Sequence, residues 1–178
     1  MSPTELCNQV YISVGSNIHP ETHILRTAEL LRQQVSLLAV SSLYLSAPVG
    51  PPDQPPFVNG VWRIATQLPP LELKYQVLRK IEARVGRIRT KNKYAPRPID
   101  LDLIAYDDKI IETKEITLPD PHIFSLAHIV VPLLEVAQTP LFDEANNILS
   151  PREQRILRDT LILQTSLTDQ LKGIVENG

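Results

Sequence analysis

The sequence predicts an α+β sandwich, one antiparallel sheet with helices packed on it, and three observations carry that expectation. Extended and helical periods alternate in the order strand, helix, strand, strand, helix, strand. The stretch Phe57 to Thr66 alternates as a half-buried strand does. A helix is punctuated at both ends, by Pro69-Pro70 before it and Gly86 after it.

Taken in order, Val10–Val14 reads as a short buried strand ending at the turn formers Gly15-Ser16-Asn17. Ile24, Ala28, Leu31 and Val35 recur at helical spacing. Leu37 to Leu45 is extended, and Pro48, Pro51, Pro52, Pro55 and Pro56 then make one stiff loop, because each ring fixes its own φ. Within the strand from Phe57, residues Val58, Trp62 and Ile64 share one face while Phe57 and Asn59 point to the other. The next helix carries the stripe Leu71, Tyr75, Leu78, Ile81 and Val85. A basic irregular segment, Arg87 to Arg97, leads into a strand from Ile99 to Tyr106. Asp107-Asp108 turns a small hairpin into Ile110-Ile111, Val130 to Val136 is helical after Pro132, and Ser150-Pro151 opens a further helix. Beyond residue 164 no pattern is legible and a loose tail is expected. The order is the split β-α-β pattern of ferredoxin-like sandwiches, with helices on one face of the sheet.

Composition bounds the function. A chain of 178 residues with 43% hydrophobic and 21% charged content supports one globular domain with a real core. A net charge of −2 argues against nucleic-acid or membrane binding driven by total charge. Cys7 is the single cysteine, so no internal disulfide forms and a reducing compartment, the cytoplasm, is expected. No basic leader and no apolar run of about 20 residues occurs, so neither a signal peptide nor a membrane span is expected. With 16 prolines but only 6 glycines, neither glycine-rich phosphate cradle is present. Phosphate here must be held by Arg, Lys or a metal.

The segment Arg97-Pro98-Ile99-Asp100-Leu101-Asp102-Leu103 is the most informative. Strand alternation sends Ile99, Leu101 and Leu103 into the core and projects Asp100 and Asp102 from the other face, roughly 7 Å apart at the backbone. Paired carboxylates repel unless a positive charge intervenes, and hard oxygen ligands suit Mg²⁺. Two unrelated aspartates on a solvated face would look the same. Just ahead lie Arg84, Arg87, Arg89, Lys91, Lys93 and Arg97. Arginine forks bind phosphate oxygens bidentately, so cations beside metal-binding carboxylates suit a polyanion that brings Mg²⁺, such as a nucleoside triphosphate. A solvated helix end, or an RNA-binding loop with Tyr94 as a stacking ring, remains open on these residues alone. His19 and His23 fall near a helix start, and His122 and His128 lack the spacing of a zinc protease site.

Several stretches, in order, resemble the 6-hydroxymethyl-7,8-dihydropterin pyrophosphokinase family. They are Tyr11-Ile12-Ser13-Val14-Gly15-Ser16-Asn17, Ser41-Ser42-Leu43-Tyr44 leading to Pro48-Val49-Gly50, Asp53-Gln54-Pro55, and Phe57-Val58-Asn59. Gly86-Arg87 and the highly specific Ala95-Pro96-Arg97-Pro98-Ile99-Asp100-Leu101-Asp102 complete the set. The matches span roughly residues 9–142 of a single domain covering 1–178, with 150–178 unsupported by any motif.

The resemblance implies a ferredoxin-like fold and the transfer of pyrophosphate from ATP to the hydroxymethyl group of the pterin, with AMP released. It implies that Asp100 and Asp102 hold two Mg²⁺ ions bridging the ATP phosphates. Arg87 and Arg97 would bind phosphates and stabilise the transferring group, with Arg89 as a further contact and Tyr94 as a loop aromatic that helps close the site. Phe57 would stack on the pterin, Asn59 would hydrogen-bond its amide edge, and Ser46 and Val49 would line the pocket through backbone. Leu103 and Thr117 would fall near the adenine. The chain departs from the pattern at Asp120, where many members carry His, and at Leu126, where they carry Arg. His122 would substitute as a phosphate contact, and His128 would form the second wall of the pterin pocket. Each lost charge-assisted bond weakens ATP binding by roughly 1.5–3 kcal/mol. The implied partners are these small molecules, with no nucleic acid and no membrane, acting on a monomer. A catalytically weak or inactive pterin- and ATP-binding homologue is the second reading.

Overall fold

In this computed structural model, residues 7–48, 53–92, 94–138 and 149–176 are described. Strand β1 (Asn8–Ser16) runs antiparallel between β4 (Phe57–Thr66) and β5 (Asp100–Tyr106). Beyond β4, its outer edge is shared by β2 (Ser36–Val40) and β3 (Tyr44–Ser46), which pair with its two halves. Helix α1 (Pro20–Leu31) links β1 to β2. With β2 and β3 taken as one interrupted strand, the order matches the ferredoxin-like reading.

Alternation decides what each face of the sheet carries. Val10, Ile12 and Val14 of β1, Val58, Trp62 and Ile64 of β4, and Leu101 and Leu103 of β5 join one apolar cluster with Ile24, Ala28 and Leu31 of α1. The opposite face holds Tyr11, Val61, Ile104 and Ala105, packed against Ile129, Leu133 and Val136 of α3 (Ala127–Val136). The sheet is therefore covered on both faces, where the pattern predicted helices on one. Helix α3 begins well before Pro132, which lies inside it. A bulge in β5 helps seat it: Ile12 faces Leu103 and Tyr11 faces Ala105, so Ile104 is the extra residue, and Ile104 and Ala105 both meet α3.

Helix α2 spans 70–84 as α-helical Pro70–Glu72, π-helical Leu73–Leu78 and α-helical Arg79–Arg84. Its buried face is Leu73, Val77, Leu78 and Ile81, while Leu71 and Tyr75 are 39% and 45% exposed. The predicted stripe holds after the π turn and fails before it, because i→i+5 bonding advances the helix face by an extra residue. Gly86 stops the helix at φ +99°, a backbone conformation that favours glycine. The predicted hairpin at Asp107 is different as well. Asp107 closes β5 by exchanging hydrogen bonds with Gln9, and β6 (Ile111–Glu112) pairs with β7 (Thr117–Leu118) rather than with β5.

Residues 149–176 form ordered structure rather than a loose tail. Helix α4 (Pro151–Asp159) opens on a capping box between Ser150 and Glu153, β8 (Ile162–Leu163) pairs with β3, and α5 (Thr165–Glu176) follows. Leu167 and Leu171 enter the main core, and the Thr168 hydroxyl accepts the Leu43 amide at 2.9 Å. Leu171→Ala is expected to cost about 2–5 kcal/mol, as a fully buried leucine does, read from the urea midpoint. An unchanged midpoint would mean that α5 contributes nothing to the core. No helix among the described residues is long and apolar enough to cross a membrane.

Candidate active site

Helix α3 covers only part of its face of the sheet, and the part left bare floors a cavity of about 310 Å³. Ser13 and Gly15 of β1, Phe57 and Asn59 of β4, and Asp100, Asp102 and Ile104 of β5 form the floor. Ser46 and Ala47, Gln54, Tyr94 and Arg97, and Asp120, His122, Leu126, His128 and Ile129 supply the walls. The volume is in the range of small-ligand sites, and its two ends differ in chemistry.

The β5 end is charged. Arg97 Nη1 donates to Asp100 Oδ2 at 2.6 Å, and Arg87 Nη1 donates to Asp100 Oδ1. Arg97 is placed by Asn17, a buried residue at the end of β1. The Asn17 side chain accepts the Arg97 amide at 2.7 Å, its backbone amide donates to the Arg97 carbonyl, and its Nδ2 reaches the Pro55 carbonyl. One asparagine thus pins the basic loop and the proline loop to the strand end. Asp102 is exposed to solvent through the cavity, with protein packed densely beneath it. Burial, and then the charge of Asp100, push its carboxyl up to about 6, with Arg79, Arg87 and Lys74 pulling the other way. Neighbouring carboxylates in conflict favour an added positive charge. Among the described residues no group of three or more His, Cys, Asp or Glu could hold a metal ion. This donor set fits Mg²⁺, which takes one or two carboxylates and completes its shell with water and substrate phosphates.

Behind these arginines sits Glu82, which sequence reasoning missed. Its side chain is 2% exposed and accepts from Arg79 at 3.0 Å, Arg87 at 2.6 Å and Arg89 at 2.7 Å. Burial pushes its carboxyl up to about 7, against the opposing pull of the Leu101 amide, Arg87 and Arg79. In the sequence it is one more glutamate beside Ile81 on a helix. Only the arginine-rich stretch that follows hints at a buried partner.

The other end is less charged. Asn59 is buried, and its Nδ2 donates to Ser46 Oγ at 2.9 Å and to the Phe57 carbonyl at 3.3 Å. Across the cavity, α3 presents His128. Burial lowers the pKa of its imidazole, which favours an uncharged ring. Helix α3 is held there by Glu135, which accepts from the Tyr44 hydroxyl and, at 2.8 Å, from the Ser42 amide.

Of the sequence-predicted residues, Ser46, Phe57, Asn59, Tyr94, Arg97, Asp100, Asp102, His122 and His128 line this cavity. Arg87 and Arg89 line an adjoining groove of about 420 Å³ with Tyr75, Arg79, Glu82 and Ala83. Leu103 lines neither space. Alternation turns its side chain into the main core, away from the aspartates. Thr117 is exposed in the β6–β7 ribbon, and Val49 is outside the described residues. Asp120 and His122 sit together on one wall, where Asp120 Oδ1 accepts the His122 amide at 2.7 Å.

Residues 11–138 match the family described as 7,8-dihydro-6-hydroxymethylpterin-pyrophosphokinase. The chain is 38% identical over 130 residues to the 2-amino-4-hydroxy-6-hydroxymethyldihydropteridine pyrophosphokinase of Haemophilus influenzae, covering 71% of this chain and 80% of that one. To the protein of the same name from Bacillus subtilis it is 37% identical over 134 residues, 74% of this chain and 79% of the other. The namesake from Synechocystis sp. is 38% identical over 143 residues, 77% and 72% respectively.

Proposed function

This chain belongs to the 7,8-dihydro-6-hydroxymethylpterin-pyrophosphokinase family, and on that premise we propose how its own residues share out the reaction. It is an ATP-dependent diphosphotransferase that moves pyrophosphate from ATP to 6-hydroxymethyl-7,8-dihydropterin in folate synthesis, with magnesium. The observation that carries the assignment is one cavity with a carboxylate–arginine end and an aromatic–amide end.

Phe57 and His128 hold the pterin ring between them, and Asn59 reads its amide edge. Ser46 completes that pocket. This orientation delivers the hydroxymethyl oxygen toward β5. There it attacks the β-phosphorus of ATP and yields its hydroxyl proton to water; the new oxygen–phosphorus bond forms as the bond from the β-phosphorus to the αβ-bridging oxygen breaks, and AMP leaves with that oxygen. Such transfers are governed by positioning and by stabilisation of charge on the moving group. Arg97 and Arg87 take that task, with Arg89 and His122 as outer phosphate contacts. Asp100 and Asp102 would hold two Mg²⁺ ions, which would neutralise phosphate charge when bound. Tyr94, on the basic loop at the cavity mouth, shields the site from water.

A core shared between the motif-bearing region and α5 supports one domain over 1–178. The lone Cys7 supports a reducing compartment, the cytoplasm. Purified protein given Mg-ATP and 6-hydroxymethyl-7,8-dihydropterin is expected to release AMP only when the pterin is present. ADP in its place would mean that a single phosphate moves, and would overturn the assignment.

A further inference from the structure

We propose that Glu82 is the positioning residue of this site, fixing both its phosphate-binding arginines and the strand segment that spaces its two aspartates. This rests on the diphosphotransferase reading above and adds to it a residue that touches neither substrate.

A carboxylate this deeply buried is costly unless its oxygens are fully engaged. Those of Glu82 are. Oε1 accepts from Arg87 at 2.6 Å and from the Leu101 amide at 2.9 Å, while Oε2 accepts from Arg79 at 3.0 Å and Arg89 at 2.7 Å. Leu101 stands between Asp100 and Asp102 on β5, and β1 is the sheet neighbour of β5. The Leu101 amide therefore meets a side chain where a further strand would otherwise bond. A strand edge held at that residue fixes the pitch at which the two carboxylates leave the sheet.

The second contribution concerns charge. Arg87 Nη1 is divided among Glu82, the Ile99 carbonyl at 3.2 Å and Asp100. Arg97 already occupies the other oxygen of Asp100. Glu82 draws Arg87 back from Asp100 and holds Arg89 to the same anchor. Without that anchor, Arg87 settles on Asp100 alone and competes with any cation placed there, and Arg89 swings into solvent. Both changes disorder the phosphate-binding end and leave Phe57, Asn59 and His128 untouched.

The test compares wild type, Glu82→Gln and Glu82→Asp at pH 8. It measures AMP formation, equilibrium binding of a non-hydrolysable Mg-ATP analogue, and pterin binding by fluorescence. Glu82→Gln is expected to lose about 10–100-fold in turnover, the usual cost of removing a partner that orients a ligating group, and to bind the analogue more weakly. Its pterin affinity stays at the wild-type value. Glu82→Asp keeps the charge on a shorter arm and recovers part of the loss. Wild-type turnover and analogue affinity in Glu82→Gln would overturn the proposal. Parallel losses in pterin and nucleotide binding would also overturn it, since they mark a general packing role. Should Glu82→Gln not fold, Glu82→Asp carries the same decision with the same readouts. A wild-type protein that makes no AMP would overturn the functional assignment itself, a different result from wild-type turnover that Glu82→Gln leaves unchanged.

Discussion

Asp102→Asn is expected to cut AMP formation by roughly 10²–10³-fold, the scale on which losing one electrostatic stabiliser is felt in transferase and hydrolase sites. The same change should make the free protein more stable at pH 8. Both effects follow from one feature. In the folded chain, burial and the charge of Asp100 hold the Asp102 carboxyl at about 6, above its ordinary 3.8. A raised folded value means that folding favours the protonated form. The stability this contributes is fully present below the ordinary value and is lost as pH rises through about 6. Asparagine is neutral at every pH and escapes that loss, so its advantage should be larger at pH 8 than at pH 5 in urea titrations. The charge that strains the free protein is the charge a Mg²⁺ ion needs. Wild-type affinity for Mg²⁺ should accordingly fall as pH drops below about 6, because the proton and the metal compete for one carboxylate. Full turnover in Asp102→Asn would remove the metal-holding role. A destabilised variant at pH 8 would contradict the electrostatic account.

How much of this was legible in the sequence depends on which interactions are local. The Asp100-Leu101-Asp102 alternation was readable because a strand's period of two leaves no choice of face once Leu101 is buried. Phe57 and Asn59 were placed together by the same rule. The stripe of α2 was half legible, since the π turn breaks the 3.6 period at a point that no residue type announces. The cover of α3 on the second sheet face depends on a β5 bulge and on the Tyr44–Glu135 contact, both set by tertiary pairing. Helix α5 was illegible for another reason. Its apolar anchors are few and lie among Ser166, Asp169, Gln170 and Lys172, so only the waiting groove against α1 and β2 marks it as core. Glu82 shows the general limit: a buried carboxylate and a solvated one are the same letter, and the difference lies in the three arginines folded around it.

At the other end of the cavity, Asn59→Leu is expected to raise the KM for the pterin by about 10–100-fold while leaving the affinity for Mg-ATP unchanged. A substrate amide edge that loses its partner in a closed pocket costs roughly 1–3 kcal/mol, and about 1.4 kcal/mol is tenfold. The side chain is well prepared for this task. Ser46 and the Phe57 carbonyl engage its Nδ2, so its orientation is fixed before any ligand arrives. Gly15 lies opposite Asn59 in the β1–β4 pair, and a Cβ there would come within 3.1 Å of Asn59 Oδ1. Gly15→Ala should therefore mimic part of the Asn59→Leu defect by pressing on the same oxygen, even though residue 15 contributes no polar group. A pterin KM unaltered in both variants would place the amide edge elsewhere in the cavity. If Gly15→Ala alone is silent, the oxygen yields by the few tenths of an ångström required, and the pocket tolerates that shift.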